Sequence, residues 1–184
     1  MSEPAEPANV PMESDPNEVA SRIGQAFVAL KQAGDTGANW FYWIAGLSLV
    51  NTAMAHGGGD RHFIIGLSVT AIVDAIAQTI GKENPQVALL AMGLAIGFSL
   101  CVAIVVILFG WLSRKRLLWV FAIGMGLYLL DGLAYLGLGD YLSAGFHAFA
   151  LFSMSRGFSA YRQMTQLEAA LQVEPAFAVV DDAE

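Results

Sequence analysis

Between residues 40 and 158 the chain alternates long apolar stretches with short charged or glycine-rich breaks. About 20 consecutive apolar residues cross a bilayer as a helix, with roughly 17 to 25 tolerated. A chain in hydrocarbon must also satisfy every backbone N–H and C=O internally, which leaves helices as the element for each stretch. The pattern predicts five spans, at 40–56, 63–80, 87–112, 117–137 and 141–158. The first two count as separate because His56-Gly57-Gly58-Gly59-Asp60-Arg61-His62 is too polar to sit within one span. The fold expected is therefore all-α: an integral membrane bundle of five transmembrane helices, preceded by a short amphipathic helix.

The flanks read differently. Residues 1–14 look like a disordered acidic tail. Asp15-Pro16-Asn17-Glu18 then has the order of a helix start, with an acid at the cap and proline at the first helical position. Val19, Ile23, Ala26, Phe27 and Leu30 follow at helical spacing, so an amphipathic helix is expected over 15–34, ended by Gly34. Past the fifth span, Tyr161, Met164, Leu167 and Leu171 predict a polar helical extension over 159–173. Pro175 should stop it, leaving 174–184 as a second disordered acidic tail. Trp40, Tyr42 and Trp43, and the pair Trp111 and Trp119, read as interfacial belts. Gly93 with Gly97, and Gly124 with Gly126, suit close helix contact within the chain or between copies.

Composition supports a membrane setting: 56% hydrophobic, 14% charged, with a mean hydropathy of +0.56. The net charge of −7 resides in the two tails, and the core is neutral. No basic patch with interleaved aromatics is present, which excludes nucleic acid as an expected partner. The single cysteine, Cys101, lies in an apolar run and forms no intrachain disulfide. The first 17 residues have neither a positive nor an apolar leader segment, so the first span is expected to direct insertion. Five spans would put Arg22, Lys31 and Lys82 on one side, and Arg61, Arg114, Lys115, Arg116, Arg156 and Arg162 on the other. Positive residues favour the cytoplasm. This predicts a multi-pass inner-membrane protein with its N-terminus outside and its C-terminus cytoplasmic.

Ionisable residues inside spans mark candidate chemistry, and there are three: Asp74, Asp131 and His147. Each lies six residues from the predicted end of its span, about 9 Å deep at 1.5 Å per residue. They are expected to converge as one intramembrane polar layer, with Tyr128 near Asp131 and with Gln78 bonding a protonated Asp74. Ser48, Asn51 and Thr52 form a second polar face, expected deeper and toward the opposite side. Spans one, two, four and five should surround this interior, leaving span three to the lipid. His56, Asp60 and His62 are weak candidate metal ligands in a glycine loop, lacking a fourth donor. Gly137-Leu138-Gly139-Asp140 matches the G-x-G-D of intramembrane aspartyl proteases, but it falls in a short loop and the accompanying Pro-Ala-Leu is missing. No nucleotide, nucleophile-elbow or H-E-x-x-H motif occurs. The function expected is a non-enzymatic scaffold or accessory subunit with a structural polar layer and no cofactor. Its partners would be the bilayer, other membrane subunits or further copies of itself. The alternative is a small proton- or solute-translocating protein using Asp74, Asp131 and His147.

Overall fold

The computed structural model describes residues 15–57 and 66–181, with side chains as far as residue 172. The described residues form five α-helices and no strand: α1 (Pro16–His56), α2 (Ser68–Glu83), α3 (Ala88–Arg114), α4 (Leu118–Gly137) and α5 (Tyr141–Asp181). The tail 1–14, the segment 58–65 and residues 182–184 lie outside the described part, and with them Asp60 and His62.

Asp15 caps α1 as its sequence suggests, accepting a hydrogen bond from the Asn17 amide at 2.9 Å. The amphipathic segment is not a separate element, however. Gly34 does not end it, and α1 runs unbroken into the first apolar stretch as one helix of 41 residues. Glycine is needed there for another reason: a Cβ at Gly34 would collide with the Tyr161 ring. One turn further on, a Cβ at Gly37 would fall 2.6 Å from the Gly157 Cα, so α1 and α5 cross backbone to backbone. The polar extension is likewise continuous with the fifth apolar stretch. α5 passes Pro175, where a stop was expected, and ends at Asp181. Proline removes one N–H from a helix; near an end, the carbonyl left over can be solvated.

Contact register fixes how the helices run. Gly34 meets Tyr161 and Gly37 meets Gly157, so α1 and α5 are antiparallel. Phe41 meets Phe109 while Thr52 meets Ser99, so α1 and α3 are antiparallel as well. α1 and α2 behave differently. Ser48 pairs with Thr70, Thr52 with Asp74, and the Ala55 carbonyl with Gln78. Both numbers rise together, so α2 runs parallel to α1. The chain leaves α1 at His56 and begins α2 back at about the level of Gly46, about 15 Å earlier along the bundle at 1.5 Å per residue. This replaces the expected succession of five antiparallel crossings: α2 is a half-length helix of 16 residues that starts inside the bundle. It also places the start of α1 and the end of α5 at the same end of the molecule.

The interior divides into two halves. Toward the chain termini, Phe41, Phe109, Phe121, Phe158 and Tyr161 pack with ring centroids 5.6–6.4 Å apart. Toward the other end, the buried side chains include Ser48, Asn51, Thr52, Thr70, Asp74, Ser99, Ser143 and His147. Large apolar residues of α3 and α4 point outward instead. These two helices are long and apolar enough to cross a membrane, and only 17% of the most apolar part of α3 is buried. Of the small-residue pairs, Gly124 fits against Phe41, whereas Gly93, Gly97 and Gly126 meet nothing within 4 Å.

Candidate functional site

Two acid–histidine pairs occupy the polar half, and both are built around α2. A helix beginning inside a bundle has unsatisfied amides in its first turn, and the residue at its N-cap, Leu67, has no side chain to offer them. Asp131 of α4 supplies the cap from another helix. Its Oδ2 accepts from the Ser68 amide at 2.9 Å, while its Oδ1 accepts from the Ser68 hydroxyl at 2.6 Å and the Val69 amide at 3.2 Å. The negative carboxylate also meets the positive end of the helix dipole.

The fourth partner of Asp131 is His147, whose Nε2 lies 3.0 Å from Oδ2. His147 Nδ1 lies 2.8 Å from the Ser143 carbonyl. A carbonyl only accepts, so Nδ1 carries a proton. The Nε2–Oδ2 contact then requires one more proton between imidazole and carboxylate. With three further donors on Asp131, an imidazolium facing a carboxylate accounts for every contact. The His147 ring is 2% exposed and stacks on Tyr128 with centroids 4.3 Å apart, an arrangement that suits a cationic ring. Gly132 makes room for it, since a Cβ there would lie 2.8 Å from the His147 Cβ.

The second pair lies about 9 Å nearer the end of the bundle, six residues along α2. Asp74 Oδ1 is 3.0 Å from His56 Nε2, and its Oδ2 accepts from Thr52 Oγ1 at 2.8 Å. Thr52 Oγ1 is also 3.0 Å from Ser99 Oγ, which ties α3 to the pair. One turn below, Thr70 donates to the Leu67 carbonyl and Ser48 donates to Thr70. Unlike His147, His56 needs no extra proton: a neutral ring with Nε2–H satisfies the carboxylate.

The expected single layer is therefore two layers. Asp131 and His147 do meet, with Tyr128 stacked on them. Asp74 does not join them but pairs with His56, because parallel α1 and α2 carry it away from Asp131. Gln78 misses Asp74 and donates to the Ala55 carbonyl at 3.0 Å instead. Ser48 and Thr52 are not at the opposite depth; they line the same interface as Thr70 and Asp74, and buried Asn51 lies against Gly66. Sequence reasoning left out Ser68 altogether and set aside His56 as a weak metal ligand. A signal for the second pair was present: Ser48, Thr52, His56 and Thr70, Asp74, Gln78 are matching i+4 ladders offset by 22 positions.

Among the described residues no three His, Cys, Asp or Glu side chains cluster as metal ligands. Asp140 of the G-x-G-D sequence is a helix cap, accepting from the Ser143 amide at 3.1 Å and hydroxyl at 2.6 Å. Those bonds hold its carboxyl below the usual range, and Gly139, at φ +79°, forms the turn before it.

At the opposite end of the bundle, Asp35 of α1 accepts from Tyr161 and lies 2.6 Å from Lys31 and 3.8 Å from Arg114. Burial alone would raise its pKa, but the Lys31 and Tyr161 hydrogen bonds and the two cations outweigh this and leave it lowered. Burial and the bond to Asp35 push the Tyr161 phenol up. Arg116 reaches Glu168 at 2.6 Å. No protein-family model matches the chain, and neither a curated protein nor a solved structure matches it significantly.

Proposed function

We propose that the chain is a membrane protein of four spans, contributed by α1 and α3–α5, with α2 as a re-entrant half-helix pinned in the bilayer. Its role is that of a non-enzymatic scaffold or accessory subunit. The observation that carries this reading is the saturation of Asp131: both oxygens are taken by donors from α2 and α5. A carboxylate so engaged joins helices and has no lone pair directed at a substrate. The inverted distribution of residues supports the membrane setting, with serine, threonine, aspartate and histidine inside and leucine, isoleucine and valine outside.

Four spans put both termini on one side. That side carries seven of the nine Lys and Arg residues, all but Arg61 and Lys82, a stronger bias than five spans provide. Both termini are then cytoplasmic. In a Cys101→Ala background, Ala20→Cys and Ala170→Cys should label only after permeabilisation, and Asn84→Cys from outside. Labelling of residues 20 and 170 from opposite sides would overturn the four-span reading.

One observation favours the translocation reading. Asp131–Ser68, Thr70–Ser48 and Thr52–Asp74–His56 climb α2 as successive polar rungs. Purified protein in liposomes with a pH-sensitive dye decides between the two. A structural role predicts proton leak at the lipid background. A pH-driven flux abolished by Asp74→Asn in a folded protein would replace it.

A further inference from the structure

Because α2 begins inside the bundle, no helix among the described residues fills the space between α3 and α4 on the terminal side of Ser68. A cavity of about 590 Å³ occupies that space, within the roughly 300–1,000 Å³ of small-molecule sites. Its back wall is the buried pair Phe41 and Ile44 of α1, and its rim is Val69, Val105, Leu127 and Leu130, all about half-exposed. The rim belongs to the outward faces of α2, α3 and α4, so under the four-span reading the cavity opens sideways into lipid. Measured along α3 from Cys101 to Phe109 it extends about 12 Å at 1.5 Å per residue.

One end of this apolar slot is polar. Asp131 and Tyr128 line it there. Asp131 is fully engaged, but Tyr128 is not: it is 5% exposed, and its hydroxyl makes no hydrogen bond among the described residues. The phenol O–H therefore remains a donor for a ligand oxygen in the cavity. The carboxylate beside it is already balanced by His147 and the start of α2, so this end of the slot has no net charge to hold a charged head. A charged head of either sign would also have to leave the interface for a position well inside the bundle, at high cost. An uncharged head avoids that cost.

We propose that this slot is a lateral binding site for an uncharged lipid, its acyl chain against Val105 and Leu127 and its ester carbonyl accepting from the Tyr128 hydroxyl. The site rests on the four-span reading but not on any role for the acid–histidine pairs beyond placing α2.

The test uses the full chain in nanodiscs with a diacylglycerol carrying a photoactivatable diazirine in one acyl chain. Phosphatidylglycerol with the same labelled chain is the charged comparator. Crosslinked peptides should map to 101–109 and 124–134, with the neutral probe favoured about tenfold, the ratio that 1.4 kcal/mol provides. Val105→Trp and Leu130→Trp, on opposite walls, should each remove this labelling, whereas Leu94→Trp on the α2–α3 face should not. Tyr128→Phe should lower labelling by both probes alike, because each carries an ester carbonyl, and leave the preference for the neutral one. Equal labelling by both probes would overturn the ligand class. Labelling spread evenly over the outward faces of α3, α4 and α5 in the wild type would overturn the site while leaving the spans intact. Absence of label from every helix would overturn both. Either tryptophan variant, folded by size-exclusion chromatography and labelled like wild type, would also exclude the slot.

Discussion

The two acid–histidine pairs use the same residue types at a similar distance and do different work. Asp131–His147 joins three helices, caps backbone amides that have no other partner, and needs a shared proton to satisfy its contacts. Asp74–His56 joins side chains only. Its histidine lies at the end of α1 and its threonine keeps Ser99 as a second neighbour. The difference shows that the carboxylate–imidazole contact does not by itself set the importance of such a pair. What sets it is how many otherwise unsatisfied groups depend on the carboxylate, because in the buried interior each orphan carries its full desolvation cost.

Breaking the inner pair should therefore have the largest effect. Asp131→Ala removes the partner of His147 Nε2, the Ser68 amide and hydroxyl and the Val69 amide, and a loss of about 3–5 kcal/mol is expected, as for a broken buried ion pair. Thermal unfolding in detergent measures it, and α2 should be the first helix to lose protection in hydrogen exchange. Asp74→Ala should cost less, about 1–3 kcal/mol, the range for an unsatisfied buried partner. Equal destabilisation by the two substitutions would remove the distinction drawn between the pairs.

Gly132→Ala sharpens the comparison without touching a polar group. Its Cβ would press on the His147 Cβ at 2.8 Å, so a cost of about 1–3 kcal/mol from overpacking is expected. Gly126→Ala on the same helix, where nothing lies within 4 Å, serves as the control and should be neutral or slightly stabilising. A double-mutant cycle on Asp131 and His147 should give a larger coupling than one on Asp74 and His56, within the usual 0.5–3 kcal/mol for contacting residues.

The smallest effect concerns a carboxylate outside the apolar segment. Asp35 has its pKa lowered in the folded protein, so its contribution is present above the ordinary value of 3.8 and is lost as pH falls through the lowered one. Tyr161→Phe should weaken that acid limb slightly and leave stability between about pH 5 and 9 unchanged in shape, since the phenol ordinarily titrates near 10. Acid unfolding curves of the two proteins check this. A change confined to neutral pH would contradict the assignment.

Much of this molecule was legible along the chain. Helical class, the five apolar stretches, the cap at Asp15 and the Asp131–His147 meeting all follow from local pattern. Apolar runs of this length between polar breaks read as helices, and the structure has helices there; Asp131 and His147 stand at matching positions on neighbouring helices and meet. The direction of α2 was not legible. Hydropathy reports how long an apolar run is but not which way it crosses, and 16 helical residues serve a half-helix as well as a short span. Direction was decided in three dimensions, by a cap on α4 that comes 63 residues after Ser68 and by side-chain ladders that match only when α1 and α2 run parallel. That choice moved Asp74 from Asp131 to His56, and among the described residues it left a cavity between α3 and α4.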